Sequence, residues 1–230
     1  PRPTSLPGRL RAPFAPAGGM ASRTVLLRMA TAADAPAIAA IYSHYVNSTI
    51  ISFELTAPTA DDMAARIAAT QAFYPYLVAE VDGVVRGYAY AGRFSSRAAY
   101  DWSAEASVYV HRDASRQGLG RRLYAAILAI LRRQRVRSLF AGVSLPNPAS
   151  EGFHEGMGFV RCGIFEAAGF KMGRWHDVAW YRLGLLPVER PAAGPGEPEP
   201  PAVGEPPPIL SVSDPDVALA IPAILEEAAA

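Results

Sequence analysis

The stretch that decides the fold is Tyr100–Leu131, YDWSAEASVYVHRDASRQGLGRRLYAAILAIL. Glu105 stands at the edge of an apolar strand, Ala106-Ser107-Val108-Tyr109-Val110. A polar turn, His111 to Ser115, leads into a basic, glycine-bearing corner, Arg116-Gln117-Gly118-Leu119-Gly120-Arg121. Beyond it Leu119, Leu123, Ala126, Ile127, Ile130 and Leu131 recur at helical spacing, so the corner opens an amphipathic helix.

A strand–turn–helix corner of this kind can capture an anion. Unpaired N–H groups and the positive end of the helix dipole favour a phosphate. Gly118 and Gly120 let the main chain approach a bulky ligand, and Arg116 and Arg121 add cationic donors. A dinucleotide fingerprint needs a third glycine, where Leu123 stands, and the phosphate loop of nucleotidases needs Gly-Lys-Ser/Thr, which this chain lacks. As a bare pattern the glycine pair fits helix capping as well as it fits a phosphate cradle.

Ser115-Arg-Gln-Gly-Leu-Gly120 after a Val-Tyr-Val strand resembles the acetyl-CoA corner of the GNAT N-acetyltransferase superfamily, Gln/Arg-x-x-Gly-x-Gly/Ala, with Ser115 departing at the first position. The resemblance sharpens elsewhere. Leu77–Gly83 (LVAEVDG), Ala89–Gly92 (AYAG), Tyr100-Asp-Trp102, Leu145-Pro-Asn147, Ala167–Lys171 (AAGFK) and Trp175–Val178 (WHDV) are similar to strings of phosphinothricin acetyltransferases. The similarity runs in order from about Leu26 to Leu186.

This resemblance implies an α/β (α+β) fold, with a mixed, mostly antiparallel central sheet flanked by helices, and an acetyl-CoA co-substrate. It also implies a homodimer. Glu105 becomes the expected general base, and His154, on a helix read from Ala149 to Met157, the acid that assists thiolate departure. Val108, Tyr109 and Val110, with the strand splayed by a bulge, would line the coenzyme arm. Arg116, Gln117, Gly118, Leu119, Gly120 and Arg121 would hold the pyrophosphate, and Asn147 would touch the arm. Phe53, Arg97 and Tyr100 would line the acceptor pocket, a guanidinium there clamping a carboxylate or phosphinate. Ser52 and Ser95 depart from the family's usual Asn and Lys, at positions where selectivity is set.

The implied reaction is direct acetylation of the α-amine of a small glutamate-like or methionine-derived amino acid, of the phosphinothricin or methionine sulfoximine type, which detoxifies it. Two rivals stand beside it. One is acetylation of another amine, such as a polyamine or a peptide N-terminus; Arg93 and Arg97 speak against the polyamine. The other is acyl-CoA binding without catalysis.

The rest of the chain sets bounds. With 230 residues, half of them hydrophobic and 19% charged, it suits one soluble domain with tails. A net charge of +1 argues for neither nucleic acid nor a membrane surface as partner. Four scattered histidines and one cysteine offer no metal-ligand spacing, so no metal is expected. The single thiol and the absence of an export signal point to the cytoplasm, and Cys162 in FVRCGIF reads as a small buried residue.

Three regions follow: an unstructured extension over 1–23, an acetyltransferase domain over 24–186, and a Pro-rich tail over 187–230. Val25–Met29 reads as the first strand, Thr31 as a cap, and Asp61 to about Ala72 as a second helix. Asp82-Gly83 is a hairpin turn between Tyr76–Val81 and Val84–Ala91. Arg137–Leu145, Phe159–Phe165 and Asp177–Leu185 complete the strands. Ile209–Ala230 reads as a solvated appendage with a short helix after Pro222.

Overall fold

The computed structural model describes residues 24–187 and 206–230. The expectations for 1–23 and for the linker up to residue 205 fall on residues that lie outside those described. Seven strands form one sheet: β1 (Val25–Met29), β2 (Tyr76–Val81), β3 (Val84–Arg93), β4 (Ser103–Val110), β5 (Ser138–Ser144), β6 (Val160–Lys171) and β7 (Arg174–Gly184), in the order β1-β2-β3-β4-β5-β7-β6. Every neighbouring pair is antiparallel except β4 and β5. The expected mixed, mostly antiparallel sheet is what forms.

Helices cover both faces. α1 (Ala35–Ser48) and α2 (Ala60–Gln71) pack on one, burying Ile38, Tyr42, Met63 and Ile67 against Tyr76, Val78 and Tyr88. α2 starts where Thr59 accepts from the Asp62 amide and Asp62 answers to the Thr59 amide, a capping box. On the other face lies α3 (Leu119–Arg133), whose predicted apolar stripe, Leu119 to Leu131, is buried throughout. Each such Leu or Ile contributes roughly 1.5–3 kcal/mol when withdrawn from water. α4 (Pro148–Gly156) follows β5, with Pro148 at its first position and Asn147 capping the Ser150 amide.

Three expectations are corrected. The final strands are longer than read: β6 and β7 continue past a bulge between Phe165 and Gly169 into a hairpin tip at Met172-Gly173. Cys162 is exposed on β6, the edge strand, because it falls on the face that α3 does not cover; its thiol donates to the Trp180 carbonyl at 3.2 Å.

The tail beyond residue 206 is packed, not solvated. α5 (Pro215–Ala218) and α6 (Ile221–Ala229) bury Val217, Ile221 and Leu225, spaced four apart, together with Val212, in the core around α3. Among the described residues no helix is long and apolar enough to cross a membrane.

Candidate active site

β4 and β5 pair only at Ser103–Ser138, Ala104–Leu139 and Glu105–Phe140, and then diverge. β4 meanwhile keeps an unbroken register with β3, from Arg93–Ala104 to Gly87–Val110. The cleft therefore opens by separation of β5, and the expected bulge in β4 is absent. His111, the next residue, donates its amide to Arg86 at 2.7 Å, so alternate main-chain groups of β4 point away from β3. Two of them find side chains. The Ala106 carbonyl accepts from the Tyr124 hydroxyl at 3.1 Å, and the Val110 carbonyl from the Tyr45 hydroxyl at 2.6 Å. Val108, between them, presents its peptide edge to the cleft.

The basic corner stands at the mouth of this cleft. Residues 115–118 are exposed, and Gly118, the N-cap of α3, has φ +79° with nothing within 4 Å of a would-be Cβ. That left-handed geometry suits glycine and leaves the first amides of α3 unobstructed. Arg116, at φ 62°, bends the approach, and the Gln117 side-chain Nε2 donates to the Asp113 carbonyl at 3.2 Å. Leu119 anchors the corner from within the core, while a Cβ placed on Gly120 would meet Phe153, Val110 and Val108 at 3.7–3.9 Å. Arg121 reaches the Gly156 carbonyl at the end of α4, tying the two helices at 3.4 Å. Ser115 is committed locally to the Arg112 carbonyl. A cradle without a Cβ, an open helix start and an unpaired strand edge suit an extended pyrophosphate-bearing thioester such as acetyl-CoA.

Glu105 occupies the last paired position before the strands part. Its side chain lies on the α1/α2 face, opposite the face where Ala104 and Ala106 meet α3. Burial raises the pKa of its carboxyl above the usual glutamate value, so it holds a proton more readily than a surface acid. Tyr90, whose hydroxyl pairs with Ser107, lies within electrostatic reach of that carboxyl, as does Tyr124 from the other side.

His154 is buried among Tyr124, Phe153, Phe159 and Tyr181. Its Nδ1 donates to the Ser150 carbonyl at 2.8 Å, which leaves Nε2 to face the Tyr124 hydroxyl at 3.3 Å. Burial lowers its pKa, favouring neutral imidazole. The histidine thus stands behind Tyr124, a residue that sequence reasoning missed. Tyr124 sits within the apolar stripe of α3, where a phenol reads as core. Asn147 spends its side-chain carbonyl on the α4 cap.

The expected acceptor residues come from distant segments. Phe53 rests edge-on against Gly169, where any Cβ would fall 2.2 Å from the ring. Its loop is held by Lys171 Nζ donating to the Ser52 carbonyl at 2.6 Å, and by Ser52 against the Tyr42 hydroxyl at 2.8 Å. Glu54 accepts a two-pronged bond from Arg66 at 2.6 and 3.0 Å. Arg93 is engaged with Asp101 at 3.5 Å, so it closes the base of the loop between them. Arg97, exposed on that loop, forms no ion pair among the described residues. Tyr100 leans on Phe94, which stacks on Phe140, the strand neighbour of Glu105. Glu105, Tyr124 and His154 are therefore linked in turn around the opening of the sheet, the corner begins the helix that carries Tyr124, and Arg97 and Phe53 stand on separate loops. Among the described residues no cluster could hold a metal ion.

This is the architecture of an acyl-CoA-dependent transferase, and residues 27–180 match the family model described as an acetyltransferase (GNAT) domain. The chain belongs to that family and is an acetyl-CoA-dependent N-acetyltransferase. It is 42% identical, over 72% of its length and 91% of the relative's, to the phosphinothricin N-acetyltransferase of Streptomyces viridochromogenes. It is 36% identical to an L-methionine sulfoximine/L-methionine sulfone acetyltransferase of Salmonella typhimurium, over 69% of this chain and 94% of that one. The crystal structure of a GNAT superfamily phosphinothricin acetyltransferase from Sinorhizobium meliloti, in complex with acetyl-CoA, superposes with a TM-score of 0.69 and 35% identity, covering 74% of this chain and 95% of that one.

Proposed function

We propose that this enzyme acetylates, and so detoxifies, the α-amine of a small amino acid of the phosphinothricin or methionine sulfoximine type. The observation that carries the proposal is the placement of Glu105. A half-buried carboxylate sits where the sheet opens, on a residue paired with Phe140, which Tyr100 reaches through Phe94. When bound, acetyl-CoA supplies an activated acetyl thioester. The corner 116–121 and the free edge at Val108 hold it, and Asn147 flanks its arm.

Glu105 removes one proton from the ammonium, giving nitrogen the lone pair that attack requires; such base assistance is worth about 10²–10⁴-fold. The Val108 N–H donates toward the carbonyl oxygen as negative charge gathers there, an effect typically of roughly 3 kcal/mol. Nitrogen's second proton is lost as the amide forms. The sulfur leaves as the thiolate and takes up the proton that nitrogen releases, and His154, on α4 behind Tyr124, is the residue proposed to assist that departure. Arg97 pairs with the acceptor's acid group, and Phe53 and Tyr100 bound its side chain.

A homodimer fits the exposed Val160, Ile164, Phe165 and Phe170 on β6, whose outer edge is free to pair with a second copy. We place the enzyme in the cytoplasm, consistent with one free thiol. The decisive experiment follows acetyl-CoA turnover across phosphinothricin, methionine sulfoximine, a polyamine and a peptide N-terminus. Saturable turnover of the first two is expected. Preference for the polyamine or the peptide would overturn the substrate assignment.

A further inference from the structure

Residues 206–230 lie beyond the stretch that matches the family, which ends at 180, yet they are fastened to the domain along their length. The Trp102 indole N–H donates to the Pro207 carbonyl at 2.8 Å. Leu210 donates its amide to the Gln134 carbonyl at 2.9 Å and accepts from the buried Gln134 side chain at 2.7 Å. Val212 donates to the Phe73 carbonyl at 3.0 Å. At the far end Arg122, in the first turn of α3, donates to the Ala229 carbonyl at 2.8 Å.

The first of these ties falls at a sensitive place. Arg93 and Asp101 close the base of the loop that carries Arg97 and Tyr100, and Trp102 follows Asp101 directly. Arg93, Asp101, Trp102 and Phe73 share an open cleft of about 560 Å³ whose other wall is Pro206–Ile209. Trp102 also accepts the Arg137 amide through its carbonyl at 2.9 Å, which fixes the entry of β4 three residues before Glu105. One residue therefore joins the tail, the loop base and the catalytic strand.

We infer that the segment 206–230 is an intramolecular brace for the acceptor loop, and that Trp102 is the positioning residue through which it acts on Arg97 and Tyr100. The inference rests on the acceptor role proposed above for that loop. A loop held only by its own ion pair samples more conformations and binds its ligand with a larger ordering cost. The brace removes part of that cost before the acceptor arrives. The tie at Trp102 lies apart from the corner at 116–121, beside which the tail is held through Arg122 at its far end.

The test uses the full chain in two variants. Trp102→Phe keeps the ring and deletes one N–H donor. Ile221→Asp with Leu225→Asp places charge in the buried face of α6. Amide hydrogen exchange of residues 94–101 is followed beside kcat, the KM for the amino acid and the affinity for acetyl-CoA.

In Trp102→Phe, loss of one neutral hydrogen bond should raise the KM about five-fold and accelerate exchange over 94–101, with kcat and coenzyme affinity kept. The double variant should do more. Wild-type exchange over 94–101 in Trp102→Phe overturns the brace, and so does a parallel fall in kcat and coenzyme affinity, the mark of general destabilisation. Should the double variant fail to fold, Trp102→Phe alone decides. If the parent enzyme turns over no amino acid, the acceptor assignment falls while the exchange measurement still decides the brace.

Discussion

On one side of β4 the proposed coenzyme corner is made from an unbroken run, residues 105–121, and would work mainly with main-chain groups. On the other side the proposed acceptor face draws on Phe53, Tyr90 and the loop of Arg97 and Tyr100, three separate segments that would act through side chains. The first half tolerates substitution wherever the backbone path survives: Ser115, which departs from the family pattern, merely bonds to Arg112. The second half would change character with each side chain, so we propose Ser52 and Ser95 as positions of selectivity and the corner as one of activity as such.

The contrast can be broken at Glu105, which belongs to both halves. Glu105→Gln should lower kcat by about 10²–10⁴-fold with acetyl-CoA affinity unchanged by calorimetry; activity near the parent's would remove this acid from the chemistry. The same variant should gain thermal stability at pH 7. A carboxyl with a raised folded pKa destabilises the fold increasingly as pH climbs from its unfolded value, about 4.3, through the folded one. Removing the charge lifts that penalty, and melting curves at pH 4 and pH 7 should show the advantage only at the higher pH.

Arg97→Ala sharpens the acceptor side. Loss of a charge-assisted bond should raise the KM for an acidic amino acid about 10–100-fold with little change for coenzyme. Gly118→Val tests the other side, since a β-branched residue at φ +79° costs on the order of 1–2 kcal/mol. The KM for acetyl-CoA should rise about ten-fold while the acceptor KM stays.

The smallest effect is a pH limb. The kcat/KM for the parent should climb with pH through a midpoint above the ordinary carboxylate range, because Glu105 must be ionised to act. A midpoint at or below about 4.3 would remove burial as the tuning force.

How much was legible follows the same division. The strand, corner and helix of residues 105–131 were readable because their signals are local: a periodic apolar stripe, glycines and a polar turn. Tyr124 was not, since a buried phenol at a core-spaced position gives no sign of the carbonyl and imidazole it meets. The cleft was misjudged in its cause, because divergence of β5 is a tertiary event with no mark in β4 itself. The docked tail was hidden by composition. Proline-rich surroundings suggested disorder, although Val217, Ile221 and Leu225 already lay one turn apart. Cys162 misled because an apolar string at a sheet edge looks like one in its middle.

The contact of Phe53 with Gly169 ties together positions more than a hundred residues apart, one supplying bulk and the other its absence. Neither can drift by itself: a larger residue at 169 is admissible only once 53 has shrunk. Lineages that reshape this corner must pass through coupled changes, so among relatives the two positions should vary as a pair, a signature that sequence comparison can read without an assay.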